Sequence, residues 1–444
     1  MADQTLFRDT IFGLSSGALP AGVGVIRISG VEARNALFSL AGNIPPPRQA
    51  HLMELHLPGG EVLDRGLVLF FPGPRSFTGE DCAELHLHGG RAVIAAALKA
   101  LSEMPGFRLA EAGEFTRRAF LNGKLDLIQA EGLADLIAAD TEAERRFALE
   151  NSNARHGKLY EGWRKRLIHA MAMIEAELDF ADEGDVPGSV ADSAWADIAA
   201  LREEIESHVG DFRTAEILRK GFRVVILGAP NAGKSSLLNA LARREIAIVT
   251  EEPGTTRDVL EVALDVAGQK IVLFDTAGIR DRPGRVEAIG IERAKASASQ
   301  ANLIIVLEDM SGSASPIDLP EGVKALRIGS KSDLAASRQP DGAYDHVVSA
   351  RTGEGLDGLL NMLEAEAKAS IAHRGEVMPF RLRHISLLRE AGKHLEKAVQ
   401  IENPLLELRA EELRLAATAL GRISGKIDAE DLLDTIFSQF CIGK

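Results

Sequence analysis

A glycine-rich segment with a lysine and two serines is the part of the chain best suited to bind phosphate. It reads GAPNAGKSS (residues 228–236), follows the apolar run FRVVIL and precedes SLLNALA, which has helical character. Gly228 and Gly233 let the backbone turn its N–H groups toward phosphate oxygens, and the helix N-terminus adds positive charge. Lys234 can then reach the β- and γ-phosphates, while Ser235 can hold Mg²⁺. The alternative is an ordinary glycine-rich turn between a strand and a helix.

Four further segments accompany this loop, in positions that a guanine-nucleotide site requires. FDTAG ends an apolar run, so that Asp275 can support Mg²⁺ and the Gly278 N–H can face the γ-phosphate. PGTTRD supplies hydroxyl groups, of which Thr256 is predicted to close over Mg²⁺ and phosphate. GSKSD contains Asp333, which can accept two hydrogen bonds from the N1 and N2 edge of guanine, and SART (349–352) can cover the base. Together these segments predict a GTP site.

Two residues depart from the usual pattern of such sites. Ser330 stands where an asparagine is usual, and because its hydroxyl is shorter than an amide we expect looser nucleotide binding. Ile279 follows DTAG, where some GTPases carry a glutamine that orients the attacking water. An aliphatic side chain cannot orient water, so catalytic help must come from elsewhere.

The C-terminal sequence CIGK places Cys441 fourth from the end, where a prenylated cysteine would stand. Gly443 and Lys444 are poor residues for a prenylation signal, and the preceding segment is acidic rather than polybasic. A lipid anchor is therefore disfavoured, and no membrane association is expected.

The elements that must position these residues change character along the chain. Short β-rich runs with glycine and proline between them predict an α+β domain, followed by helices, then an alternating α/β segment, then helices to the end. We predict an α/β domain inserted into one helical domain, because insertions are tolerated where their ends lie close together. The predicted ranges are 1–120 (α+β), 121–217 (helical, first part), 218–372 (inserted) and 373–444 (helical, second part).

Composition predicts an ordinary globular protein of several domains, 45% hydrophobic and 26% charged over 444 residues. A net charge of −14 gives no general attraction for nucleic acid, so any RNA contact must be local. The basic run ARHGKLYEGWRKR (154–166) is one candidate, although such runs are commonly solvated helix faces. A cytoplasmic location is favoured by three features of the sequence. The chain has only two cysteines, it shows no signal-peptide pattern, and it contains no long apolar stretch.

Over its whole length the chain resembles the MnmE (TrmE) family of tRNA-modification GTPases. The matching segments are GVGVIRISG, SFTGEDCAELHLHGG, GEFTRRAFLNGKLDLIQAEGLADLI, GAPNAGKSSLLNAL, IVTEEPGTTRD, FDTAGIR, VEAIGIERA and CIGK. The long N-terminal segments and the tail are more discriminating than the phosphate loop. The resemblance implies a folate-binding-like N-terminal domain, an all-α helical domain and an inserted Ras-like GTPase domain.

The resemblance also implies a K⁺ ion held by Asn231, Thr250, Glu252 and Thr255, and a water-orienting catalytic residue, Glu287. A cation that bridges the phosphates can stabilise transition-state charge where other GTPases use an arginine. With Mg²⁺ at Ser235 and Thr256, the implied nucleotide and cation contacts are Asn231, Ala232, Gly233, Lys234, Ser235, Ser236, Thr250, Glu251, Glu252, Pro253, Gly254, Thr255, Thr256, Asp275, Thr276, Ala277, Gly278, Lys331, Asp333, Ser349 and Ala350.

In the N-terminal domain the resemblance implies that Arg27, Glu84 and Lys124 hold a 5-formyl- or methylene-tetrahydrofolate, with Cys441 and Lys444 near its one-carbon unit. Taken alone, the first three are ordinary charged surface residues. The Cys441 thiol is either a nucleophile toward a uracil ring, activated by a nearby cation, or part of a tail that only closes the pocket.

The implied function is modification of carbon 5 of the wobble uridine of certain tRNAs by a homodimer, acting in a heterotetramer with the FAD-dependent partner MnmG (GidA). GTP hydrolysis would drive association and separation of the two GTPase domains. The competing interpretations are an Era-like regulatory RNA-assembly GTPase without folate chemistry and a nucleotide-dependent scaffold. A regulatory switch has no use for the folate residues or the tail, and a scaffold predicts no K⁺ stimulation.

Overall fold

The computed structural model describes residues 7–179, 190–244, 246–248, 260–275, 299–311, 319–334, 343–371, 377–400, 406–427, 430–438, 440 and 443. The chain divides into two compact units. Unit 1 comprises Met1–Ala134, Ser152–Ala172 and Leu413–Lys444, and unit 2 comprises Asp135–Asn151 and Met173–Glu412. No helix of the described residues is long and apolar enough to cross a membrane.

Unit 1 contains a six-stranded sheet with the strand order β3-β4-β5-β2-β1-β6. All neighbouring strands are antiparallel except β1 and β6. The strands are β1 Thr10–Leu14, β2 Ala21–Ser29, β3 His51–His56, β4 Val62–Phe71, β5 Cys82–Gly89 and β6 Phe107–Leu109. Helices α1 (Ala33–Ala41) and α2 (Arg91–Ser102) pack on one face, over a core that includes Ile26, Leu37, Leu85 and Ile94. The predicted α+β character of this region is confirmed.

The helices that lie wholly or partly in unit 1 come from distant parts of the chain. They are α3 Glu114–Leu121, α4 Leu127–Ala138, α6 Arg155–Asp179, α12 Leu406–Ser424 and α13 Glu430–Phe437. In unit 1, Leu127 of α4 shares a core cluster with Leu433 and Phe437 of α13. A side chain at Gly113, just before α3, would lie 2.4 Å from the Phe437 carbonyl oxygen. Glycine at this position lets α13 lie close to α3.

Unit 2 contains a second six-stranded sheet with the order β12-β11-β10-β7-β9-β8. Its strands are β7 Phe222–Leu227, β8 Leu260–Val266, β9 Gln269–Asp275, β10 Leu303–Asp309, β11 Ala325–Ser330 and β12 His346–Val347. The predicted parallel pairing is confirmed for every neighbouring pair except β8 and β9, which form an antiparallel hairpin. The turn at Ala267 and Gly268, both with positive φ, is too short for a parallel crossover.

Helices α9 (Lys234–Ala242) and α10 (Leu356–Ser370) bury apolar residues against this sheet. Other described helices that lie wholly in unit 2 are α5 Glu142–Asn151, α7 Val190–Gly210, α8 Phe212–Lys220 and α11 Leu382–Gln400. In the parallel sheet, β7, β9, β10 and β11 all end at the same edge, and the phosphate loop and the GSKSD segment follow there. This edge brings together the predicted nucleotide residues that lie in the described part of the chain.

Candidate functional site

The glycine-rich loop joins the end of β7 to the start of α9. Gly233 precedes α9 with a φ of 94°, and a side chain at Gly228 would lie 2.4 Å from the Leu307 carbonyl oxygen on β10. Glycine fits both positions because it has no Cβ. Lys234 is buried, and its Nζ donates to the carbonyl oxygens of Gly228 (2.7 Å) and Ala229 (2.9 Å). The ammonium group is therefore held against the loop, as phosphate binding requires.

Ser235 and Asp275 meet beside this loop. Ser235 Oγ donates to Asp275 Oδ2 at 2.8 Å, and Asp275 is fully buried at the end of β9. A hydroxyl beside a buried carboxylate suits Mg²⁺, which prefers oxygen ligands and shares them with nucleotide phosphates. Among the described residues, no cluster of three or more acidic, histidine or cysteine side chains could hold a metal ion. The residues present therefore fit a Mg²⁺ ion that arrives with the nucleotide.

A cavity of about 200 Å³ lies next to the phosphate loop. Its lining residues are Gly233, Ser236, Leu237, Ser330, Lys331, Asp333, Leu334, Val348, Ala350 and Arg351. Ser349 Oγ donates to Asp333 Oδ1 at 2.6 Å, whereas Asp333 Oδ2 is buried and receives no hydrogen bond from the described residues. Arg351 Nε lies 3.4 Å from Asp333 Oδ2, and the Arg351 side chain is 78% exposed. A buried carboxylate oxygen of this kind favours a ligand with N–H donors, as guanine has.

The segment that carries Asp333 is fixed by neighbouring contacts. Lys331 has a φ of 58° and its Nζ lies 2.5 Å from Asp309 Oδ2 at the end of β10. Burial opposes ionisation of Asp309, but hydrogen bonds from Lys331 and Ser311 lower its pKa overall. The ionised carboxylate therefore anchors Lys331, and the backbone that leads to Asp333 is held by β10.

Ser330 contacts the phosphate loop directly. Its Oγ lies 2.6 Å from the Ala232 carbonyl oxygen and 3.1 Å from the Glu308 carbonyl oxygen, and the residue is buried. A serine hydroxyl has one hydrogen to donate, so it can satisfy the loop or the strand but has none left for a base. An asparagine amide has two donor hydrogens. The serine keeps a contact with the loop, and the looser binding expected from the sequence remains a prediction.

Replacing Ser330 by asparagine should tighten GTP binding about 3- to 10-fold, because one added hydrogen bond contributes roughly 0.5–1.5 kcal/mol. Ser330→Ala is the matched comparison, since it removes the bond to the Ala232 carbonyl and should weaken binding. The dissociation constants of a fluorescent GTP analogue measure both effects. An unchanged constant for Ser330→Asn would show that the serine does not limit affinity.

On the sheet of unit 1, Arg27 and Glu84 form a pair. They are register partners on β2 and β5, and Arg27 donates to Glu84 Oε1 through Nε (3.2 Å) and Nη2 (3.1 Å). The Arg27 guanidinium also lies 5.2 Å from the Phe77 ring centroid and 5.8 Å from that of Phe115. Each partner of the ion pair is only about one-fifth exposed, at 21% and 20%. A charged pair beside aromatic rings can bind a flat heterocycle through stacking and hydrogen bonds.

Lys124 is not part of this pair. Its Nζ donates to the Pro74 carbonyl oxygen at 2.9 Å, and its aliphatic carbons lie beside Gly79. Phe77 belongs to the same loop, between Pro74 and Gly79. Lys124 therefore packs against the loop of residues 74–79, whose Phe77 ring lies beside Arg27.

The C-terminal tail reaches β1 through Gly443. Ser15 Oγ donates to the Gly443 carbonyl oxygen at 2.6 Å, and a side chain at Gly13 would lie 3.5 Å from Gly443 Cα. Gly13 is the register partner of Arg27, and side chains of partners on neighbouring strands point to the same face. Gly443 therefore lies on the sheet face that carries Arg27 and Glu84.

Several predicted residues lie outside the described part of the structure. They are Thr250, Glu251, Glu252, Pro253, Gly254, Thr255, Thr256, Thr276, Ala277, Gly278, Glu287, Cys441 and Lys444. Of the predicted K⁺ ligands, Asn231 is described, and its φ of 67° is one that asparagine tolerates. The K⁺ site and the water-orienting role of Glu287 therefore remain predictions.

Sequence reasoning missed two residues that the structure places at these sites. His86 Nε2 lies 3.2 Å from Glu84 Oε2, two positions along the same strand, and Arg351 lies beside Asp333. The two-residue period of a strand puts His86 on the face of Glu84, and Arg351 belongs to the SART segment. Both could have been found from these patterns.

Comparison with known proteins shows the family. Residues 10–124 match the family model of the GTP-binding protein TrmE N-terminus, and residues 127–441 match that of the MnmE helical domain. The chain is 60% identical over 444 residues to the tRNA modification GTPase MnmE of Chelativorans sp. (strain BNC1), with 100% of both chains covered. It is 56% identical to that of Mesorhizobium japonicum, over 98% of this chain and 99% of the relative.

A third relative, the tRNA modification GTPase MnmE of Brucella melitensis, is 54% identical over 100% of both chains. A solved structure of Aquifex aeolicus Era is 24% identical, covers 41% of this chain and 69% of that chain, and has a TM-score of 0.27, too low to show a common fold. The family models and the full-length relatives agree, and the chain belongs to the MnmE family of tRNA modification GTPases.

Proposed function

We propose that this chain is a K⁺-dependent, dimerisation-activated GTPase that modifies carbon 5 of the wobble uridine of certain tRNAs. The observation that carries the nucleotide part is the cavity beside the phosphate loop, which is lined by Asp333, a residue whose buried Oδ2 accepts no hydrogen bond from the described residues. Membership in a family of tRNA modification GTPases supports the tRNA part. The homodimer and the FAD-dependent partner MnmG (GidA), with which it would form a heterotetramer, are proposed from the family resemblance.

Each residue of the nucleotide site has a distinct role in this proposal. Lys234 and the backbone N–H groups of the loop hold the β- and γ-phosphates, and Asp333 selects guanine. Ser235 and Asp275 would hold Mg²⁺ and its water, and the ion would neutralise charge on the phosphates. Asn231 would hold K⁺ together with Thr250, Glu252 and Thr255, and Glu287 would orient the attacking water.

The one-carbon donor in this proposal is 5-formyl- or methylene-tetrahydrofolate, bound where Arg27 and Glu84 meet. The flat pterin ring would stack near Phe77, with its ring N–H groups on Glu84 and its glutamate on Arg27 or Lys124. Gly443 supports this placement, because it brings the tail to the same sheet face.

A titration of the full-length protein with 5-formyl-tetrahydrofolate tests the folate part. Arg27→Gln and Glu84→Gln should each weaken binding roughly 10- to 100-fold, because a hydrogen bond to a charged group contributes about 1.5–3 kcal/mol. Lys99→Gln is the control, since Lys99 is 78% exposed on α2, which packs on the other face of the sheet. If the unmodified protein binds no folate while it hydrolyses GTP, the Era-like regulatory interpretation is favoured instead.

Cys441→Ser tests the chemical role of the tail. Gly443 lies on the face of Arg27, and Cys441 precedes it by two residues, a chain length of at most about 7 Å. If the thiol acts as a nucleophile, the variant should lose tRNA modification while GTP hydrolysis continues at an unchanged rate. Both rates are measured on the same preparation. Modification at the original rate would assign the tail a purely structural role.

A further inference from the structure

The basic run of residues 154–166 has no part in the proposed nucleotide or folate sites. In the structure it begins α6, and five exposed positions of this helix succeed one another at spacings of three and four residues. They are Arg155, Lys158, Gly162, Lys165 and His169; Ile168, 43% exposed, lies at the border of this set. At 100° per residue they fall within an arc of about 80° and form one continuous face of the helix. We call these five positions the α6 basic face.

The opposite side of this part of α6 is buried. Tyr160, Trp163 and Leu167 are 1%, 5% and 0% exposed, and they lie roughly 120–180° around the helix from the centre of the α6 basic face. Packing of these large side chains fixes the rotation of the helix. The α6 basic face is therefore held toward solvent and cannot turn inward.

The acidic residue within this run is already neutralised. Glu161 accepts a hydrogen bond from Lys426 Nζ at 2.9 Å and lies 3.8 Å from Arg164 Nη1. The hydrogen bond from Lys426 is the main reason that the pKa of Glu161 is lowered. Among the described residues, Arg155, Lys158 and Lys165 make no ion pair within 4.0 Å. The cations of the α6 basic face remain available to an external anion.

We propose that the α6 basic face binds the phosphate backbone of the tRNA, an inference that rests on the proposed function. From Arg155 to Lys165 the face spans about 15 Å, which is long enough to meet several phosphates. A membrane surface is the weaker alternative, because membrane-binding helices insert a broad apolar face, whereas Tyr160, Trp163 and Leu167 of α6 are buried and Ile168 is a single aliphatic residue exposed beside the α6 basic face. The chain carries a net charge of −14, so most of its surface would repel RNA. The α6 basic face would therefore fix the position at which the RNA binds.

The test is a triple variant, Arg155→Gln, Lys158→Gln and Lys165→Gln, in the full-length protein. Its affinity for tRNA, measured by fluorescence anisotropy over a range of salt concentrations, should fall about 100-fold at 0.1 M salt. The slope of log K against log [salt] should become shallower by roughly 2–3. The control is Lys99→Gln, Lys368→Gln and Lys397→Gln, which removes the same charge from exposed side chains on other helices and should leave the slope unchanged.

GTP hydrolysis and the thermal unfolding midpoint, measured on both triple variants, should match the unmodified protein and show that folding is intact. Equal tRNA binding by the two triple variants would overturn the proposal for α6 alone. Failure of the unmodified protein to bind any tRNA would instead contradict the tRNA part of the proposed function. Binding to anionic phospholipid vesicles that is lost in the α6 variant, with tRNA binding retained, would assign the face to a membrane surface and also overturn the proposal.

Discussion

Asp333→Asn should reverse the base preference of the protein from GTP to XTP, changing the ratio of the two affinities by roughly 10⁴. Xanthine carries a carbonyl oxygen where guanine carries its 2-amino group, so it needs a donor where guanine needs an acceptor. The structure indicates how the asparagine would orient. Ser349 Oγ donates to Asp333 Oδ1, so the amide oxygen should stay there and the amide nitrogen should take the place of the unsatisfied Oδ2.

Competition between GTP and XTP for a fluorescent nucleotide analogue measures this change. Asp345→Asn is the matched control, because Asp345 is exposed and caps the Arg327 backbone N–H at 2.7 Å, and it does not line the base cavity. GTP preference should persist in this control. If Asp333→Asn also retains it, Asp333 does not contact the base and the cavity is not the guanine site.

Replacing K⁺ by Na⁺ should lower the rate of GTP hydrolysis by roughly 10²–10³, because the cation would do what an arginine finger does in other GTPases. The K⁺-stimulated rate per subunit should also rise with protein concentration, since the proposed activation is by dimerisation. The expectation derives from Asn231 in the phosphate loop and from Ile279, which cannot orient water. Phosphate release is measured in each salt at equal ionic strength.

Asn231→Gly is a second test, because it removes the proposed K⁺ ligand without straining the phosphate loop. Asn231 has a φ of 67°, which glycine adopts freely and alanine does not. The variant should bind GTP and hydrolyse it at the same slow rate in both salts. Equal rates of the unmodified protein in Na⁺ and K⁺ at high protein concentration would rule out a catalytic K⁺ ion and favour a nucleotide-dependent scaffold.

The sequence predicted much of the secondary structure, and it missed mainly short or edge elements. The short β-rich runs of the N-terminal region, which are GVGVIRIS, HLMELH, RGLVLFF and CAELHLHG, form strands β2 to β5, because β-rich apolar runs bounded by glycine and proline carry a strong signal. β1, β6 and β8 were not predicted. β6 has three residues, and β8 pairs antiparallel at the sheet edge, where its partner rather than its own pattern sets its direction.

Residue types and their spacing along the chain were enough to predict the chemistry of the nucleotide site. Lys234, Ser235, Asp275 and Asp333 lie in short motifs whose residue types and strand-to-helix context carry the prediction. The structure brings them to one edge of the sheet because parallel strands all end on the same side.

Which side chains share a hydrogen bond or a sheet face became known from the folded structure and could not be read from the sequence. The contact of Ser330 with Ala232 joins residues 98 positions apart, and the contact of Ser15 with Gly443 joins residues 428 positions apart. No local sequence pattern predicts contacts between residues so far apart in the chain, because strand register and helix packing, not residue type, bring these atoms together. For the same reason the basic run of α6 was ambiguous in the sequence, and burial of the opposite helix face fixed its cations toward solvent.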